Sequence, residues 1–161
     1  MRNISIYTDG SHLKHTTGRL GIGGVMVDDD TNQELGRFSE TLGLDWLKEN
    51  YGTSDVSNPT CEMLANLWAL RKFGKTLKDG DIVKMKADFM GVQNFNLGTW
   101  KARLPYIAKI KGETDKERAN LSKGVVLEFQ WVKAHQKKSI LSTDRDAYWN
   151  DVVDKLAKGE V

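Results

Sequence analysis

The stretch ISIYTDGS, residues 4–11, decides how this chain can fold. Its first residues alternate between apolar and polar side chains, which is the period of a half-buried β-strand. The alternation stops at Asp9, which is followed by a glycine and a serine. We therefore predict a first strand over residues 2–8 that delivers the Asp9 carboxylate to its end.

Length and composition indicate a globular chain. The 161 residues fit a single domain, residues 1–161, that can bury a core without disulfide or metal support. No apolar run approaches the roughly 18 residues of a membrane-spanning helix. Cys61 is the single cysteine and cannot form an internal disulfide, which is typical of proteins in a reducing compartment. We therefore expect a cytoplasmic protein. The net charge of +2 permits a polyanionic partner without requiring one.

The first half of the sequence predicts three strands and a long helix. GIGGVMVDDDTNQELGRFSETL, residues 21–42, is typical of a hairpin, which makes the first three strands antiparallel. Residues 42–57 are polar and predict a long connector. NPTCEMLANLWALRKFGK, residues 58–75, predicts a helix that Asn58 caps and Gly74 ends.

The second half alternates between strands and helices. DIVKMKAD, residues 81–88, repeats the first pattern and again ends on a carboxylate, and a short helix is expected after it. Residues 100–124 predict helical segments interrupted at Gly112. VVLEFQWVKAH, residues 125–135, predicts a fifth strand, and DRDAYWNDVVDKLAKG, residues 144–159, a last helix. This order predicts an α/β fold with a mixed sheet, in which active sites gather at the carboxyl ends of the strands.

The acids at two strand ends predict a metal site. If the first and fourth strands are parallel neighbours, Asp9 and Asp88 meet at one edge of the sheet, and two like charges there need a cation. Glu62, in the first turn of the long helix, and an acid of the last helix could complete the site. Oxygen ligands suit Mg²⁺ or Mn²⁺ better than Zn²⁺. Two such ions about 4 Å apart would clamp the attacking and leaving oxygens of a phosphoryl displacement.

Several motifs, taken in order and on these element types, resemble the type I ribonuclease H family. They are YTDGS, CEMLA, KAD, WVKAH and NDVVDKLAK. The resemblance implies a ribonuclease H-like sheet of five strands, with the first three antiparallel and strands 1, 4 and 5 parallel, flanked by helices. It also implies an endoribonuclease that cuts the RNA strand of RNA–DNA hybrids with two Mg²⁺ ions, for which Mn²⁺ could substitute, and leaves 5′-phosphate and 3′-hydroxyl ends. We expect a monomer that binds nucleic acid and no membrane.

The resemblance also implies which residues react. The acids that match the family's catalytic and metal-binding groups are Asp9, Glu62, Asp88 and Asp154. His135 in WVKAH matches a mobile histidine that assists proton transfer or product release. Helical periodicity does not choose between Asp154 and Asp151, which flank the apolar stripe of the last helix at similar angles. The motif register selects Asp154.

Other residues are candidates for contact with the hybrid. They are Gly10, Ser11, Asn58, Lys101 and Arg103. Asn58 lies one turn before Glu62 on the same helix face, from which it could reach the 2′-hydroxyls of the RNA strand. Lys101 and Arg103 resemble in placement the basic protrusion that grips hybrid in some family members, and the alternative is a solvated helix face.

Simpler alternatives remain for each acid and for the function. Asp9 begins an Asp-Gly pair common in turns, Asp88 could cap the helix after it, and Glu62 could be an ordinary acid of a first helical turn. The alternative functions are a catalytically inactive hybrid-binding module and a related-fold nuclease of the junction resolvase or transposase-like kind. Residues 136–149 form a longer segment than the family usually has, which leaves the role of His135 open.

Overall fold

Five strands form one mixed sheet at the centre of the structure, a computed structural model that describes residues 1–13, 19–134, 138–141 and 143–160. The strands are β1 (Asn3–His12), β2 (Arg19–Asp28), β3 (Gln33–Gly43), β4 (Ile82–Ala87) and β5 (Val126–Trp131). Their order in the sheet is β3-β2-β1-β4-β5. Strands β1, β2 and β3 are antiparallel, whereas β4 is parallel to both β1 and β5. The predicted sheet is therefore confirmed.

Helices flank the sheet. They are α1 (Leu44–Tyr51), α2 (Asn58–Phe73), α3 (Met90–Leu97), α4 (Pro105–Ala119), α5 (Lys138–Leu141) and α6 (Arg145–Ala157), with a 3₁₀ turn at Gly74–Thr76. Helix α2 packs against β1 and β2, α4 packs against α2, and α6 packs against β1, β2 and β3. Within the part of the chain that the structure describes, no helix is long and apolar enough to cross a membrane.

The alternation along β1 explains why helices lie on both faces. Ile6 is fully buried among residues of α2 such as Leu67. Its neighbour Tyr7 points to the other face, where it is fully buried against Trp149 and Val153 of α6. Burial of each aliphatic side chain of this kind contributes on the order of 2 kcal/mol to folding. The apolar stripe predicted for the last helix thus meets the second face of β1.

Strand β1 continues beyond its predicted end. Asp9 is paired with Gly23 of β2, and the antiparallel pairing runs on to His12. The parallel pairing with β4, in contrast, stops at Thr8, opposite Ala87. The prediction that the strand stops at Asp9 is wrong on the β2 side, because the hairpin supplies a partner that alternation cannot reveal. On the β4 side, Asp9 does stand where the pairing ends.

The predicted connector, residues 42–57, is partly helical. Its first half forms α1, which Gly52 ends in a left-handed conformation with φ of 65°. Trp46 of α1 packs edge-on against Trp68 of α2, with ring centroids 5.4 Å apart. Packing of this kind, and not helix propensity, stabilises short helices.

Helix α4 is one continuous helix, so the predicted interruption at Gly112 is wrong. Space is open around the Cα of Gly112, so this residue costs only helix propensity, about 1 kcal/mol relative to alanine. Thr114 belongs to the same helix. Its hydroxyl donates to the Ile110 carbonyl at 2.8 Å from the middle of the helix.

The start of α2 differs by one residue from the prediction. Its cap is Ser57, which is extended, whereas Asn58 and Pro59 are the first two helical residues. The Asp55 carboxylate accepts from the Ser57 N–H at 2.8 Å, and this local turn fixes the entry into the helix. The predicted end of the helix at Gly74 is confirmed.

Strand β5 is shorter than predicted and ends at Trp131. Just beyond it, the Val132 N–H still donates to the Ala87 carbonyl at 2.9 Å. His135 lies outside the described residues, so the structure places neither its backbone nor its side chain.

Candidate metal centre

Three acids, one from β1, one from α2 and one just after β4, converge at the edge of the sheet where β1 and β4 part. We call them the carboxylate cluster, which consists of Asp9, Glu62 and Asp88. Each offers one oxygen, and these oxygens lie within 4.8 Å of one another. Asp9 and Glu62 are each only 4% exposed, and Asp88, directly after β4, is partly buried.

Gly10 allows β1 to approach α2 closely enough to bring Glu62 into the cluster. A Cβ at Gly10 would lie 2.4 Å from the Cys61 carbonyl carbon, so no larger residue fits without moving the helix. The Gly10 N–H donates to Glu62 Oε1 at 3.1 Å. The glycine of the TDGS motif therefore has a clear role in building the site.

Burial and mutual repulsion raise the pKa of two acids of the cluster. Burial, followed by the charges of Asp88 and Asp154, raises the pKa of Asp9 to about 7. Burial, followed by the proximity of Asp9, raises the pKa of Glu62 well above its usual range. Glu62 Oε2 is buried, and no described residue hydrogen-bonds to it. Folding has therefore gathered buried carboxylates that repel one another.

This set of donors fits a hard divalent cation. All donors are carboxylate oxygens, the preferred ligands of Mg²⁺ and Mn²⁺. A cation would relieve the repulsion that raises the pKa values, and the buried oxygen of Glu62 is available to bind it.

Asp154 lies at the same pocket, at the margin of the cluster. It lines the pocket together with Asp9, and its charge contributes to the raised pKa of Asp9. One helical turn further, Lys158 Nζ lies 3.0 Å from Asp154 Oδ2. Asp151 instead pairs with Lys155 at 3.1 Å, outside the residues that line the pocket in the described chain. The structure thus brings Asp154, and not Asp151, to the other acids.

The sequence-based predictions missed Asn150. This residue of α6 is 5% exposed, and its Nδ2 donates to Asp88 Oδ2 at 3.3 Å. A signal was present, because Asn150 lies one helical turn before Asp154 and therefore on the same helix face.

A second group of polar side chains lies beside the cluster, on β1, β4 and α6. We call it the lysine network, which consists of Tyr7, Lys86 and Asp146. Lys86 Nζ lies 2.7 Å from Asp146 Oδ1 and 5.3 Å from the centroid of the Tyr7 ring. The Tyr7 hydroxyl donates to the same Asp146 oxygen. The sequence did not reveal this network, since nothing in a strand pattern indicates that Lys86 is buried.

Charge in the lysine network is balanced. Burial by itself would raise the pKa of Asp146, but the bonds from Lys86 and Tyr7 outweigh it and lower that pKa. Burial, followed by the bond to Asp146, raises the pKa of Tyr7. The tyrosine is therefore a neutral donor and the aspartate an anion.

The predicted substrate contacts fall into two groups. Gly10, Ser11 and Asn58 line the pocket beside the cluster, and Asn58 is exposed. Lys101 and Arg103 are exposed in the segment that precedes α4 and are not among the described residues that line the pocket.

Comparisons with known proteins identify the fold. No family model and no curated protein matches the sequence. RNase H1 of the halophilic archaeon Halobacterium salinarum matches with a TM-score of 0.71 at 16% identity, over 98% of this chain and 96% of that one. An N-terminal RNase H domain from Mycobacterium tuberculosis gives 0.71 at 17% identity, over 99% and 94%. LC11-RNase H1 in complex with an RNA/DNA hybrid gives 0.70 at 21% identity, over 97% and 94%.

These matches define the class of structure. The chain has the type I ribonuclease H fold, as the motifs predicted. At identities of 16–21% the likeness concerns the fold alone.

Proposed function

We propose that the chain is an endoribonuclease that hydrolyses the RNA strand of RNA–DNA hybrids and leaves 5′-phosphate and 3′-hydroxyl ends. One observation carries the proposal: in a ribonuclease H fold, Asp9, Glu62 and Asp88 converge with their oxygens within 4.8 Å of one another. The binding of an RNA/DNA hybrid by LC11-RNase H1, a protein of the same fold, supports this choice of substrate.

The proposed cofactor is a pair of Mg²⁺ ions, for which Mn²⁺ could substitute. The carboxylate cluster would hold them, with Asp154 as a further ligand. Bound divalent ions of this kind activate a water and stabilise the leaving oxygen of a phosphodiester. The Gly10 N–H holds the Glu62 carboxylate in place, and Asn150 does the same for Asp88.

Other residues are proposed to bind and release the nucleic acid. Asn58 is exposed at the pocket, where its amide could bond to a 2′-hydroxyl of the RNA strand. Lys101 and Arg103 are proposed to contact phosphates from outside the pocket. The role of His135 in proton transfer or product release stays a prediction.

A binding module without catalysis is the less favoured function. Neutral polar or basic side chains would serve such a module better, because buried carboxylates repel phosphates as well as each other. A junction resolvase or a transposase-like enzyme also uses acids at strand ends, so substrate choice has to separate it from a hybrid nuclease.

The test compares four substrates and three proteins. Labelled RNA–DNA hybrid, duplex DNA, duplex RNA and a four-way junction are incubated with and without Mg²⁺. The proteins are the wild type, Asp9→Asn, and Asp151→Asn as a control that removes an acid of α6 outside the pocket. We expect internal cuts in the RNA strand of the hybrid alone, lost in Asp9→Asn and retained in Asp151→Asn. Binding without cleavage favours the module, and cleavage of the junction or of duplex DNA favours the related nucleases.

We also propose that the chain acts as a single-domain monomer in the cytoplasm. A single sheet contains all the described strands, and α6 returns to β1, so the two ends of the sequence share one core. Light scattering on the purified chain tests the monomer, and a mass near twice 18.2 kDa would contradict it.

A further inference from the structure

Two layers of polar side chains lie next to each other where β1, β4 and α6 meet. The first layer is the lysine network, and the second consists of Asp9, Asp88 and Asn150. Tyr7 stands directly opposite Lys86 in the parallel pairing of β1 and β4. Each strand reaches its acid two residues later, and α6 reaches Asn150 four residues after Asp146.

Strand and helix advance by similar amounts between the layers. Two strand residues rise by roughly 6.6 Å, and four helix residues rise by roughly 6 Å. A helix held at Asp146 therefore presents Asn150 level with Asp88, where the structure has their atoms 3.3 Å apart. One more turn brings Asp154 to the pocket.

We infer that Lys86 and Asp146 are positioning residues for the metal centre. Their ion pair, with the Tyr7 hydroxyl as a second donor, sets the position of α6 along β1 and β4. Asn150 can then hold Asp88, and Asp154 can reach the carboxylate cluster. The catalytic consequence rests on the proposed function, whereas the structural consequence rests on the contacts alone.

Packing does not require a lysine at this place. Lys86 is 9% exposed and the Asp146 side chain 41%, so the pair is half-buried, and replacing an ion pair withdrawn from water by apolar residues of similar volume is often neutral or stabilising. Apolar side chains, however, would not define one position of α6 along the strands. The stripe of Trp149 and Val153 could bury much the same area after a small shift of α6, whereas Asp146 meets both donors at one position only.

The experiment removes all polar groups of the lysine network at once. The variant is Tyr7→Phe/Lys86→Met/Asp146→Leu, which leaves no buried donor or acceptor of the network without its partner. The matched control is Asp151→Leu/Lys155→Met, which removes an ion pair from another part of α6. The measurements are the melting temperature, the NMR signals of the Asn150 side-chain amide, the affinity for Mn²⁺ without substrate, and hybrid cleavage.

We expect the triple variant to melt within about 4 °C of the wild type. Its Asn150 amide signals should move toward those of a solvated asparagine, because the bond to Asp88 is lost. We expect Mn²⁺ affinity and kcat to fall by about 10-fold or more, the size found when partners of metal ligands are removed, with KM little changed. The control should match the wild type in every measurement.

Unchanged Asn150 signals together with unchanged Mn²⁺ affinity in the triple variant would overturn the inference. If the wild type fails to cut hybrid while the Asn150 signals still respond to the triple substitution, the proposed function fails and the positioning role stands. Should the triple variant not fold, Asp146→Asn takes its place, since it keeps the shape and weakens the pair. It should shift the same amide signals by a smaller amount, and signals identical to the wild type would again overturn the inference.

Discussion

The carboxylate cluster and the lysine network lie next to each other along β1 and β4, and each adds an acid from a helix, yet their charges are arranged in opposite ways. In the network, Lys86 supplies the cation that the Asp146 carboxylate needs. In the cluster, buried acids face one another, and the pKa of Asp9 is raised to about 7. The repulsion among the acids of the cluster favours the binding of an external cation, whereas the network already contains its cation.

The two regions also differ in what folding gains from them. In the lysine network, both donors share the Asp146 carboxylate, so removing Asp146 leaves them without their acceptor and removing Lys86 leaves the carboxylate without its cation. The carboxylate cluster opposes folding in the absence of cations, because desolvation and repulsion act on the same groups. Removal of a charge should therefore change stability in opposite directions in the two regions.

The largest effect is expected on catalysis, in Glu62→Gln. Glutamine keeps the shape and can still accept the Gly10 N–H, but it removes the charge that a divalent ion would bind. We expect hybrid cleavage to fall by about 10³-fold, or roughly 4 kcal/mol of activation free energy. Single-turnover cleavage with circular dichroism as a folding check measures this, and activity within a few-fold of the wild type would remove Glu62 from the site.

The next effect is a loss of stability in Lys86→Met. The substitution keeps most of the volume but leaves Asp146 and Tyr7 without their cation. We expect the free energy of unfolding to fall by about 2 kcal/mol, below the value for a fully buried pair because Asp146 is partly exposed. Urea unfolding measures it, and the triple variant above should recover most of the loss. Equal stability of Lys86→Met and the wild type would mean that the network is not coupled to folding.

In the absence of divalent ions, Asp9→Asn should raise the free energy of unfolding, in contrast to Lys86→Met. The folded-state pKa of Asp9 is raised, so the stability that its proton contributes is complete below the unfolded pKa near 4 and is lost as the pH rises through about 7. At pH 8 in the presence of a chelator, we expect the free energy of unfolding of Asp9→Asn to exceed that of the wild type by about 2 kcal/mol. This difference should shrink toward pH 4. Chemical unfolding at the two pH values measures it, and a destabilised variant at pH 8 would show that repulsion does not dominate the cluster.

Much of the fold was predictable from the sequence, because it depends on local patterns. Alternation identified the strands, and the helical stripe that includes Trp149 identified the buried face of α6. The predictions failed where tertiary contacts decide. Trp46 stabilises α1 through a ring on another helix, and the open surroundings of Gly112 let α4 continue through a glycine.

The candidate site was predictable as a set of acids but not as a geometry. Motif register pointed to Asp9, Glu62 and Asp88, which the structure brings together. Lys86 was hidden, since a strand pattern cannot show that a lysine at a half-buried position has a carboxylate on a distant helix as its partner. Asn150 was hidden for the same reason, although its spacing from Asp154 was visible.

Asp154 combines features of the carboxylate cluster and of the lysine network, and Asp154→Asn should have the smallest effect of these substitutions. It lines the pocket of the cluster, yet it has a cation of its own in Lys158 and is not one of the three described acids whose oxygens lie within 4.8 Å. Loss of its charge should therefore weaken cleavage by about tenfold, or roughly 1.4 kcal/mol, well short of the loss in Glu62→Gln. Cleavage rates of Asp154→Asn and Asp151→Asn, measured over a range of Mg²⁺ concentrations, test this, because a peripheral ligand should be partly compensated by more Mg²⁺. A loss as large as that of Glu62→Gln at saturating Mg²⁺ would instead place Asp154 inside the cluster, and it would mean that Lys158 gives up its partner when the ions bind.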